Sequence, residues 1–83
     1  MNLEFGGLYM KIVANEYEEK DIIKIIREWT ELTQANFGKS IGRKERVIQA
    51  YEQGESRYSF ETLMKIAKIH NIKITIEKSK SIV

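Results

Sequence analysis

The sequence predicts a mainly α domain of about four helices, with a short β-strand near each end. Three observations carry this. Isoleucines recur at helical spacing between Glu18 and Glu31. The stretch Leu32–Gly54, LTQANFGKSIGRKERVIQAYEQG, reads as two short helices separated by a tight turn at Ile41-Gly42. Apolar and polar residues alternate close to both termini. The 83 residues read as a single domain, 1–83, with 1–7 as a flexible arm and 78–83 as a loose tail. A chain of this size buries a modest core, so a second copy would add to it.

Leu8, Met10, Ile12 and Ala14 share one face of a strand over Leu8–Ala14, by their two-residue period. Met10 is also an alternative start, which would leave nine residues as an extension. Asn15 to Asp21 is acidic and leads into a helix, where carboxylates near the N-terminus suit the macrodipole. That helix is expected from about Glu18 to Glu31, burying Ile22, Ile25, Ile26 and Trp29, with Ile23 widening the stripe. Trp29 is read as a core residue; stacking on a nucleobase is the alternative.

Thr33 is placed to cap a helix from about Gln34 to Ser40. Gly42 suits a left-handed residue ending it, and Gly54 closes the next helix in the same way. In that second helix Ile48 and Tyr51 should face inward, while Lys44, Glu45, Arg46 and Gln49 should face outward. Long hydrogen-bonding side chains of this kind match the base edges of a DNA major groove. Gly54–Ser59 is a loop, and Ser59 caps a helix from Phe60 to about His70, stopped by Asn71. His70 is read as partly buried and hydrogen-bonded. Ile72, Ile74 and Ile76 then alternate with Lys73, Thr75 and Glu77 as a second strand.

The net charge is only +2, but it is unevenly spread. Lys11 and Lys20 face five carboxylates in residues 1–21, whereas Lys39, Arg43, Lys44, Arg46 and Arg57 fall in or just after the two short helices. Such clustering fits phosphate binding, though a solvated helix surface would carry the same charges. With no cysteine and one histidine, the chain has no disulfide framework and no thiolate or histidine-cluster metal site, and no cofactor is expected. No apolar run has the length of a membrane span and the first residues lack a signal-peptide pattern, so a cytoplasmic protein is the expectation. No nucleophile–base pair, metal set or phosphate-cradling glycine loop is present, which argues against an enzyme.

The ordered set Thr33-Gln34, Phe37-Gly38, Ile41-Gly42, Ile48, Tyr51-Glu52 and Gly54, continued by SFETLMKIAKIHNI, resembles the lambda-repressor and Cro helix-turn-helix proteins, the XRE family. The resemblance implies double-stranded DNA as partner, a homodimer, and a second helix whose N-terminal residues meet the bases. It places base contacts on Lys44, Glu45, Arg46 and Gln49, a phosphate contact on Gln34, and backbone contacts on Arg57 and Tyr58 of the following loop. Gln34 could also brace Glu45, and Tyr58 could equally pack over the loop. Gly38 stands where the family usually has alanine, Arg43 where it often has a small apolar residue, and Lys44 where it prefers a serine or threonine cap. The last two departures weaken the start of the recognition helix and add positive charge.

The function implied is a sequence-specific transcriptional regulator, a repressor of phage or mobile-element type. The alternative is the antitoxin of a toxin–antitoxin pair, with the strand ends or acidic segment facing the toxin. The exposed edges of the terminal strands are the expected dimer surface, since an unpaired edge is a template for pairing.

Overall fold

Helix α1, Glu19–Thr30, follows a single 3-10 turn at Ala14–Glu16 in the computed structural model, which describes residues 10–80. Helices α2, Gln34–Ser40, α3, Glu45–Gln53, and α4, Phe60–His70, complete the architecture. The side chains at the helix ends show why the chain breaks there. Thr33 accepts a hydrogen bond from the Asn36 amide at 3.1 Å, and Ser59 one from the Thr62 amide at 3.0 Å. Each satisfies a donor that the first helical turn leaves without a partner. Left-handed residues close α3 at Gly54 and α4 at Asn71. Helix α1 also ends on a left-handed residue, Glu31, which the sequence pattern does not announce.

The core is built from Ile23, Ile26, Phe37, Ile41, Ile48, Tyr51 and Ile66, drawn from all four helices and the α2–α3 turn. Helix α3 packs against both α2 and α1. The inner face of α1 is rotated from the expected one. Ile23 and Ile26 are its buried residues, whereas Ile22, Ile25 and Trp29 are only half-buried. Trp29 lies outside the core and lines a surface groove. His70 is partly buried, as expected. Its ring stacks on Phe37 with centroids 5.2 Å apart, and its Nε2 lies 2.8 Å from the Ser40 hydroxyl. Since Ser40 Oγ donates to the Phe37 carbonyl at 2.6 Å, it accepts from Nε2–H, which fixes the tautomer.

The expected strands are not found among the described residues, either in the part of Leu8–Ala14 that the structure describes or in Ile72–Glu77. The arm at 1–7 and the last residues of the tail lie outside the described residues. The two-residue pattern is nonetheless visible in the solvent exposure, because Ile72 and Ile74 are half-buried while Lys73 and Thr75 are exposed. A strand needs a hydrogen-bonded neighbour as well as a pattern. Beyond the Ile72 amide, which closes α4 on the Ala67 carbonyl at 2.9 Å, the segment has no backbone partner among the described residues.

Gly38 sets the angle between α2 and α3. A Cβ at this position would lie 2.6 Å from the Arg43 carbonyl oxygen and 3.1 Å from Ile48 Cγ1. The first distance is shorter than any carbon–oxygen contact the turn could hold, so the turn would have to move. Alanine favours a helix over glycine by about 0.5–1 kcal/mol, but overpacking a tight contact costs about 1–3 kcal/mol. Gly38→Ala is therefore expected to destabilise the domain despite its better helix propensity. A urea melt of the variant checks this, and a gain in stability would show that the turn yields freely.

Candidate nucleic-acid interface

The α2–α3 turn is tightly tied. The Gly38 carbonyl accepts from the Ile41 amide at 3.0 Å and from the Arg43 amide at 2.8 Å, while Gly42 takes a left-handed φ of 75°. These bonds need a residue free to adopt positive φ at 42, which glycine is. The turn delivers Lys44 in an extended conformation at the head of α3, with no side-chain cap. The Val47 amide turns back to the Lys44 carbonyl at 3.0 Å, while the Glu45 and Arg46 amides have no partner among the described residues, as the departure from the usual capping residue leads one to expect.

From that start α3 divides cleanly. Ile48 is 0% and Tyr51 7% exposed, whereas Lys44, Glu45 and Arg46 are exposed and Gln49 is half-buried. At 3.6 residues per turn, Arg46, Gln49 and Gln53 fall on one outward stripe. Gln53 is exposed and was not singled out in the sequence. The three- and four-residue steps from Arg46 through Gln49 were the signal that could have found it.

Gln34 opens α2 but does not brace Glu45. Its Nε2 donates to Glu52 Oε1 at 3.0 Å. Glu52 in turn receives Arg27 Nε at 2.6 Å and Arg27 Nη2 at 3.1 Å, a two-pronged ion pair whose side chains are 16% and 5% exposed. Arg27 Nη1 also donates to the Leu32 carbonyl at 3.0 Å. The hydrogen bond to Glu52 is the main cause holding the Arg27 guanidinium above its ordinary pKa, while burial works against it. One network thus ties α1, the α1–α2 connection, the first residue of α2 and the inner side of α3. Gln34 is oriented by it through its hydrogen bond to Glu52. Arg27 and Glu52 were missed as positioning residues, because nothing local connects two residues so far apart in the chain.

The other expected contacts sit in different surroundings. Arg43 is half-buried, and its Nη2 donates to Thr62 Oγ1 at 3.3 Å, linking the turn to the start of α4. Arg57 is 85% exposed in its side chain and pairs with Glu19 at 3.3 Å. Tyr58 donates its hydroxyl to the Glu19 carbonyl at 2.6 Å, and its ring meets Tyr51 edge-on with centroids 5.4 Å apart. Burial first, and then the Glu19 carboxylate, pushes the Tyr58 phenol up to about 12. Tyr58 thus packs the loop against α1, and its hydroxyl is already engaged. The structure brings Lys44, Glu45, Arg46 and Gln49 together on α3, with Gln34 held to that helix through Glu52; Arg57 and Tyr58 lie past its far end, roughly 13 Å along a helix of 9 residues.

Among the described residues no helix is long and apolar enough to cross a membrane, and no group of three or more His, Cys, Asp or Glu is placed to hold a metal ion. Comparison with curated proteins and with solved structures returned no match. Comparison with family models matched HTH_3, Helix-turn-helix, over residues 23–76, more than half of the 83 residues. That span holds α2, the glycine turn, α3 and α4, and the chain belongs to the XRE/Cro/C1-type helix-turn-helix family, whose domains bind DNA and are not enzymes.

Proposed function

We propose that the chain is a sequence-specific transcriptional repressor of phage or mobile-element type, acting in the cytoplasm by occupying an operator as a homodimer. The observation that carries this reading is the outward stripe of α3. Arg46, Gln49 and Gln53 stand on a helix whose opposite face is anchored by Ile48 and Tyr51, with Lys44 and Glu45 at its open N-terminus. Arginine can grip a guanine with two hydrogen bonds, glutamine an adenine, and glutamate can accept from cytosine. Gln34 and the exposed Lys39 and Arg57 supply phosphate contacts, which fix register without reading sequence. A symmetric pair of such domains would read two half-sites about one helical turn apart.

The test uses an operator found by footprinting genomic DNA with the purified protein. Binding should weaken steeply as salt rises, because phosphate contacts release counterions. Arg46→Ala should leave the thermal melt nearly unchanged, as surface substitutions usually do. It should lose about 1–3 kcal/mol of operator affinity, concentrated at one base pair of each half-site. Titrating operators substituted one base pair at a time reads that selectivity. Equal weakening on every sequence would make Arg46 a phosphate contact, and the absence of any preference over random DNA would end the repressor reading.

A further inference from the structure

Two consecutive residues of the loop between α3 and α4 are tied to one residue, Glu19, at the start of α1. Tyr58 donates its hydroxyl to the Glu19 carbonyl. Arg57 donates to the Glu19 carboxylate with two nitrogens, Nε to Oε1 at 3.3 Å and Nη2 to Oε2 at 3.4 Å. The backbone of the loop is held at both ends as well. The Glu55 and Ser56 amides donate to the Ala50 carbonyl of α3, and Ser59 caps α4. The exposed Arg57 side chain is therefore the part of the loop left to move. Glu19 is the one carboxylate it meets among the described residues, since the neighbouring Glu18 lies against Lys20 at 4.0 Å.

This ion pair does little for the fold. Water screens an exposed pair, and two long side chains must be held still to form it. The bond from Tyr58 already fastens the loop to α1, and it goes to the backbone of Glu19 rather than to its side chain. What the carboxylate can do is compete. A phosphate offers a guanidinium the same two-oxygen geometry as a carboxylate, and Arg57 can grip only one of them at a time. The exchange is feasible from the side of Glu19, because a negative charge in the first turn of α1 stays favoured by the helix dipole after Arg57 leaves. We infer that Glu19 is a restraint on DNA binding: its carboxylate occupies the Arg57 guanidinium in the free protein, and a backbone phosphate must displace it. The restraint rests on the phosphate contact proposed for Arg57. Phosphate contacts carry no sequence information, so it lowers the affinity for every duplex by the same factor and leaves the base reading by α3 unchanged.

The test is a titration of the full chain with duplex DNA of random sequence at several salt concentrations, so it needs no operator. Glu19→Gln keeps the length of the side chain and the bond from Tyr58, and removes the charge. It should melt with the parent and bind the duplex about threefold more tightly, the scale of one exposed ion pair. Arg57→Ala should bind more weakly and lower the slope of log affinity against log salt by about one, as the loss of one phosphate contact does. The deciding variant combines the two. With no guanidinium to release, Glu19→Gln should bring no gain in the Arg57→Ala background. An equal gain in both backgrounds would mean that Glu19 only repels DNA, and no gain in either would mean that Arg57 reaches phosphate without leaving Glu19. Each of these results overturns the inference and leaves the phosphate contact of Arg57 standing. If Arg57→Ala changes neither the affinity nor the salt slope, the contact itself fails and the restraint with it, while base reading through Arg46 is judged by its own titration.

Discussion

Glu52→Ala is expected to cost about 3–5 kcal/mol, the usual consequence of removing one member of a buried ion pair. The substitution leaves the Arg27 guanidinium, 16% exposed in its side chain, without the carboxylate that meets it at 2.6 and 3.1 Å. It also removes the acceptor for Gln34 Nε2. A small domain has about 5–15 kcal/mol in total, so the variant should be largely unfolded at moderate temperature. The pair as a whole is a different quantity, because burying two charges sacrifices hydration that their attraction only partly returns. Arg27→Met combined with Glu52→Leu should therefore recover most of the stability lost by Glu52→Ala. Thermal melts of the single and double variants read this directly. The double variant separates positioning from folding. It should fold but hold Gln34 loosely, and so bind operator more weakly than the parent at equal salt. If Glu52→Ala melts within about 1 kcal/mol of the parent, water reaches Arg27 and the network does not tie the helices.

The contrast between this network and the helix boundaries shows what a single sequence makes legible. Thr33, Gly42, Gly54, Ser59 and Asn71 act through groups within a few positions of themselves, and each is found where its chemistry placed it. The inward side of α3 was legible for the same reason, since Ile48 and Tyr51 are three apart. Glu52 and Arg27 are 25 positions apart, and no local rule joins them. The face of α1 was misjudged because five apolar residues compete for it. Burial there is decided by the position of α3, so Ile23 is enclosed and Trp29 is displaced to the groove. The packing of Tyr58 on α1 was not legible locally either, because the Glu19 carbonyl that accepts its hydroxyl lies 39 positions away. At Ile72–Glu77 the alternation is visible in the exposure of Ile72, Lys73, Ile74 and Thr75, but beyond the Ile72 amide no backbone hydrogen-bond partner lies among the described residues, so the pattern alone does not make a strand.

Phe37→Ala is the second substitution expected to have a large effect. Phe37 is 0% exposed, within a core that takes Ile23 and Ile26 from α1, Ile41 from the turn, Ile48 from α3 and Ile66 from α4. Truncating a buried phenylalanine costs about 3–5 kcal/mol, from lost transfer energy plus the cavity left behind. The cavity should relax poorly here. The turn on one side is fixed by the two hydrogen bonds to the Gly38 carbonyl, and His70 on the other is held by Ser40. At about 4–8 °C per kcal/mol for a domain of this size, the melting temperature should fall by more than about 12 °C. Phe37→Leu retains most of the volume and should cost much less. Below its melting temperature Phe37→Ala should still prefer the operator over random DNA, because Arg46, Gln49 and Gln53 are not part of the core around Phe37. The measurement is a denaturant melt beside operator titration of the same sample. A loss of base-pair preference in the folded variant would mean that Phe37 sets the angle at which α3 is presented, and a cost under about 1 kcal/mol would mean that the helices close around the gap.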